Sequence, residues 1–206
     1  MITRMNQHLL IFAGVCVAVW VLGTFLLIYF WPHLVTNIYK RAILNHGFGD
    51  GPVPISTLYT EPQQLFADPL NTLLPPGSSR LMTVGVNHDT LPTVGWLDLG
   101  KGPQVLHVPD FSARYYSVQF TDPFNVDFAY VGTRTTGTQA GDYLITGPDW
   151  NGQLPRGLRQ IAAPNNSVLV LGRILVYSDS DLPTAYDLAK QIQLTPLSGW
   201  QPRAQC

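Results

Sequence analysis

Chemistry in this chain has to come from a small set of polar side chains. The densest group is Gly132-Thr133-Arg134-Thr135-Thr136-Gly137-Thr138-Gln139-Ala140-Gly141-Asp142-Tyr143. Arg134 stands there among hydroxyls and glycines, just after an apolar run ending at Val131. Such a loop can aim backbone N–H groups and a guanidinium at an anion or a carbonyl oxygen, with Thr133 and Thr136 as further contacts. The plainer reading is a long β-turn whose Thr hydroxyls bond its own backbone. We favour the plainer one, because no helix follows to make a phosphate loop.

Arg173 follows Gly172 inside the most apolar run of the chain, where a charge needs a partner. Asp89 or Asp98 can supply it as a structural pair, which we take as the default. The functional alternative is a polar pocket in which Arg134, Arg173 and Asp89 orient a small ligand. Arg114 is the other notable charge. The five His (His8, His33, His46, His88, His107) are scattered, with no pair at helical metal spacing. His107 alternates with Leu106 and Val108 and can face inward or outward; we read it as structural. Cys16 and Cys206 are the two Cys, too far apart for a bridge and leaving no thiolate zinc site between them. The G-x-S-x-G, H-E-x-x-H, Walker A and dinucleotide signatures are absent. We therefore expect no metal and no cofactor, and assign no catalytic residue.

The elements that must position these residues begin with a membrane segment. Leu9 to Trp31 runs without a charge. At about 1.5 Å per helical residue it exceeds the roughly 30 Å hydrocarbon core of a bilayer. Tyr29, Phe30 and Trp31 collar its far end. A cleaved signal peptide has a shorter core and small residues at its end, so an uncleaved anchor is expected. Arg4 before the span and Lys40-Arg41 after it nearly balance. The Lys-poor body tips the expectation to a single-pass bacterial inner-membrane protein with its C-terminal domain in the periplasm.

Composition sets the rest. Of 206 residues 46% are hydrophobic and 12% charged, Glu61 is the single Glu, and 18 Gly and 17 Pro punctuate the chain. Residues that cover exposed helix faces are scarce, so the body is expected to be rich in strands and turns. A net charge of −1 offers no basic field for nucleic acid. Residues 1–41 read as anchor plus helical extension, 42–80 as a loop-rich linker or coat, and 81–206 as the β-rich domain. Leu58, Tyr59, Leu65 and Phe66 favour a coat. Strands are expected at 94–99, 104–108, 114–120, 128–131, 143–146 and 167–177. Tyr116, Val118 and Phe120 should share a face, and residues 168–171, apolar on both faces, should form a central strand. One helix follows, capped by Ser180 or Asp181, with Pro183 in its first turn and Pro196 ending it. The fold class is thus mainly β. We expect an antiparallel sandwich or barrel-like domain with one C-terminal helix, preceded by a single transmembrane helix.

These residues, taken in order, resemble the family of the domain of unknown function 1254. The likeness is carried by Asn87-His88-Asp89-Thr90-Leu91, Trp96-Leu97-Asp98-Leu99, Val108-Pro109-Asp110 and Arg114-Tyr115-Tyr116. It continues through Val131-Gly132-Thr133-Arg134, Gly141-Asp142-Tyr143, Leu171-Gly172-Arg173, Asp181 and Leu194-Thr195-Pro196-Leu197, ending near Trp200. Where the family usually has Tyr-Ser after Asp-Thr-Leu, Pro92 and Thr93 stand here. The resemblance implies a β-sandwich-like, commonly extracytoplasmic domain with no settled activity. Family members often carry a domain of unknown function 1214 on the same chain. A separate membrane protein carrying that companion domain is therefore an expected partner, beside the lipid bilayer. Three function classes stay open: a membrane-tethered subunit, ranked first; a small-molecule-binding module; and a hydrolase-like enzyme completed only by its partner.

Overall fold

The computed structural model describes residues 2–47, 51–60 and 89–202. Leu65, Phe66, His88, Cys206, the rest of the expected linker from residue 61 and the start of the expected β-domain at residue 81 lie outside the described residues. Helix α1 runs from Ile2–His46, straight through Pro32. Proline removes one N–H from the helical ladder. Thr36 Oγ1 donates to the carbonyl of Pro32 at 2.8 Å one turn later. Gly47 ends the helix at φ +60°, its N–H donating to the Ile43 carbonyl at 3.0 Å. A left-handed glycine is the usual stop here, and a Cβ at Gly47 would collide with the carbonyl oxygen of Gly51.

The body is a two-sheet sandwich. Its strands are β1 (Leu58–Thr60), β2 (Thr90–Asp98), β3 (Gln104–Val108), β4 (Tyr116–Thr121), β5 (Asp127–Gly132), β6 (Gly141–Thr146), β7 (Arg159–Ala162), β8 (Ser167–Leu175) and β9 (Gln193–Pro196). One sheet has the order β1-β2-β8-β4-β5 and the other β7-β6-β3-β9. Helix α2 (Leu182–Gln191) packs against the first. Period-two alternation turns Tyr116, Val118 and Phe120 inward, all at most 1% exposed. They meet Leu91, Leu97, Val168, Val170 and Ile174 of the same sheet and Leu106, Val108 and Ile145 of the other, with Ala185 and Ala189 from α2.

The apolar run at residues 168–171 lies in β8, between β2 and β4, as its two-faced pattern predicts. Its outward residues Leu169 and Leu171 join Val94 and Trp96 of β2 in a second cluster. Ile43 and Leu44 of α1, with Val53 and Tyr59, cover that cluster. The middle of the five-stranded sheet is therefore covered on both faces, by the other sheet and α2 on one and by the end of the long helix on the other.

Three expectations change. Pairing is not uniformly antiparallel, because β6 and β7 run parallel. The C-terminal helix stops at Gln191, not at Pro196; residues 193–196 instead pair with β3 as an edge strand, where a terminal proline is tolerated. Asp181 occupies the cap position of α2 but its carboxylate makes no cap hydrogen bond, being drawn to Arg114. Strands β1, β7 and β9, three or four residues each, all lie at sheet edges. They are too short to carry a readable alternation.

Candidate functional site

The turn between β5 and β6 spends its polar groups on itself. Thr133 Oγ1 accepts from the Tyr116 N–H at 3.1 Å, and Thr136 Oγ1 accepts from the Gly132 N–H at 3.0 Å. Thr135 Oγ1 donates to the Tyr130 carbonyl at 3.1 Å. Arg134 is exposed, its guanidinium 5.7 Å from the centre of the Tyr115 ring. Beneath the turn the Tyr116 ring is buried and stacks on Phe111 at 4.0 Å. Burial pushes its phenol up, while the nearby Thr136 pulls the other way.

Arg173 is not buried. Strand alternation puts it on the outer face of β8, opposite Pro92 and Ser117 and beyond the part covered by α1, so it stays exposed and hydrated. Asp89 is exposed just before β2. Asp98 closes the far end of the same nine-residue strand, accepting from the Gly100 N–H at 3.2 Å. Arg173 and Asp98 therefore cannot meet, and Arg134 lies apart from both strands, on the β5–β6 turn.

The shielded ion pair is formed by Arg114 instead. Its Nη1 and Nη2 donate to Asp181 Oδ2 and Oδ1 at 2.5 and 2.7 Å, a bidentate fork. Nη1 also donates to the Leu175 carbonyl at 2.7 Å, and the Tyr177 N–H donates to Asp181 Oδ2 at 3.0 Å. The two side chains are 11% and 17% exposed. The Arg114 hydrogen bond holds the Asp181 carboxyl below its ordinary range, and the same bond raises Arg114. This network ties the β3–β4 connection to the end of β8 and the start of α2.

His107 faces outward from the four-stranded sheet, its Nδ1 2.7 Å from Oδ1 of Asp142 directly across on β6. The register neighbour on its other side is Gln193 of β9. No cluster of three or more His, Cys, Asp or Glu able to hold a metal exists among the described residues.

The least committed surface lies where α1 meets the sheet. Lys40 Nζ and Trp96 Nε1 both donate to Ser167 Oγ, at 2.8 and 2.7 Å. Ile43 fills the space beside them. One turn lower the two bodies part to leave a cleft of about 380 Å³. Trp31, Val35 and Tyr39 form its helix wall, and Trp96, Leu169 and Asn125 its domain wall. The β4–β5 turn stands beside it. Asp122 Oδ1 accepts from the N–H groups of Phe124 and Val126 at 2.8 and 2.9 Å, and Asn125 takes φ +63°. That geometry turns Phe124 and Val126 outward, and Phe124 stacks on His33 of α1 at 4.8 Å. Sequence reasoning missed this cleft, since its walls come from segments far apart in the chain and hold no signature residue.

Residues 69–196 match the family described as Protein of unknown function (DUF1254). The chain belongs to that family. A crystal structure of a Vibrio parahaemolyticus protein is similar at 22% identity and TM-score 0.60, covering 87% of this chain and 40% of that one. A Burkholderia cenocepacia protein is similar at 11% identity and TM-score 0.41, covering 85% of this chain and 44% of the other. The chain thus spans less than half the length of these solved proteins. No curated protein matches it. The first likeness supports the fold alone, a mainly β sandwich, and carries no activity with it.

Proposed function

We propose that this chain is a membrane-held subunit. In this reading α1 crosses the inner membrane, the sandwich stands on the periplasmic side, and a membrane protein carrying a domain of unknown function 1214 docks beside it. Among the described residues one helix is long and apolar enough to cross a membrane. The observation that carries the partner is on the same helix just above the span. There one face (Val35, Tyr39, Ile43) packs toward the domain, while Leu34 and Ile38 are 53% and 57% exposed. Spaced four apart, these two make an apolar stripe one helical turn long on the side of the helix away from the domain-packed face. Neither a plain tether nor a bare anchor needs such a stripe; a second helix packed against it does.

The test is mild-detergent purification of the tagged full-length protein from its native membrane, with mass spectrometry of what is retained. The expected result is one stoichiometric membrane protein with the companion domain, lost from the Leu34→Asp/Ile38→Asp variant. A chain recovered alone contradicts the proposal.

A further inference from the structure

The cleft between α1 and the five-stranded sheet begins at Trp31, the last residue of the uncharged run, and rises to Tyr39. Eight helical residues span roughly 12 Å, so on a bilayer-crossing α1 the cleft opens in the headgroup layer, immediately above the acyl chains. Its walls are mainly aromatic and aliphatic, Thr36 and Asn125 being the polar members, and the groups that face it bring no charge of their own. At about 380 Å³ it falls within the range of ligand clefts, roughly 300–1,000 Å³. Left to water, it would wet Trp31, Val35, Tyr39 and Leu169 at a cost proportional to their apolar area. Beside it Phe124 and Val126, 39% and 57% exposed, extend the same apolar surface on the β4–β5 turn. A strand turn that presents large apolar side chains at the level where the anchor leaves the bilayer is suited to the interface.

We propose that this cleft holds an acyl chain of a bilayer phospholipid, drawn up from the leaflet at Trp31 and lying between α1 and the Trp96–Leu169 wall. The bound chain replaces water over the apolar walls and completes the junction, so lipid becomes part of the domain's seat on the membrane. The inference rests on α1 crossing a bilayer, the same premise as the subunit reading, and it needs no companion protein.

The experiment uses the full-length protein reconstituted in phosphatidylcholine–phosphatidylglycerol vesicles that carry a phospholipid with a diazirine on its acyl chain. Photolysis is followed by peptide mass spectrometry. The expected result is adducts on the anchor and, in addition, on the peptides of Trp96 and Leu169, with the domain-wall adducts lost in the cleft-filling variant Val35→Trp. The wild-type labelling decides the matter even where that variant folds poorly. Adducts confined to the anchor overturn the lipid proposal while leaving the membrane reading intact; a partner helix or another segment of this chain in the cleft gives that result. Protein that carbonate washing strips from the vesicles overturns both.

Discussion

The β5–β6 turn and the α1–sheet junction make opposite use of their residues. The turn has hydroxyls, glycines and an arginine, the types from which anion sites are made, yet Thr133, Thr135 and Thr136 are all bonded to nearby backbone. The junction has few polar groups, and Lys40, Ser167 and Trp96 are used to clamp helix to sheet. What it leaves over is apolar surface, in the cleft and on the stripe of Leu34 and Ile38. Residue types with chemical potential do not make a site when local geometry has already committed them. An uncovered apolar surface beside a helix apolar enough to span a bilayer still awaits an occupant.

The largest effect should come from breaking the junction. Trp96 is 1% exposed and packs with Ile43 and Val53. Trp96→Ala should cost about 3–5 kcal/mol, read as a lowered midpoint in thermal or denaturant unfolding of the full-length protein. A loss below about 1 kcal/mol would mean that helix and sheet are not joined there.

An intermediate effect belongs to Arg114, which acts on neither region. Arg114→Ala should cost about 2–3 kcal/mol, since it leaves Asp181 without its bidentate partner in a partly shielded position. Because the folded state holds Asp181 below its usual range, the pair's contribution is fully present above the unfolded carboxylate pKa, about 3.9. It is lost as pH falls through the lower folded value. A pH series of unfolding midpoints should show this acid-side slope in the wild type and a shallower one in Arg114→Ala. Equal slopes would assign the pair no such role.

The smallest effect is predicted at the turn. Arg134→Ala removes an exposed side chain and should change stability by about 0.5 kcal/mol or less. It should also leave any thermal shift by small anions untouched. An anion-dependent shift that disappears in Arg134→Ala would reverse the comparison and make the turn the binding site.

Much of the sandwich was legible because each long strand carries its own period. Tyr116, Val118 and Phe120 alternate cleanly, and the two-faced run at residues 168–171 announced a strand covered on both sides. What covers its outer face was not legible, since the contact joins Ile43 to strands more than fifty residues away, and the pattern of α1 is apolar nearly all round. The same distance hid the ion pair, whose members are 67 residues apart. Arg173 was misread because it adjoins an apolar run in sequence, whereas in the sheet it lies beyond the part that α1 covers. The cleft offers no motif at all; only the packing of helix on sheet creates it.

The central claim is that the upper part of α1 belongs to the domain and is no loose tether. Hydrogen–deuterium exchange of the intact protein in lipid nanodiscs tests it directly, by comparing residues 36–46 with β8. The account predicts that these helix amides are protected together with β8 and are released with it in Trp96→Ala. Exchange of residues 36–46 well ahead of β8 in the wild type would contradict it.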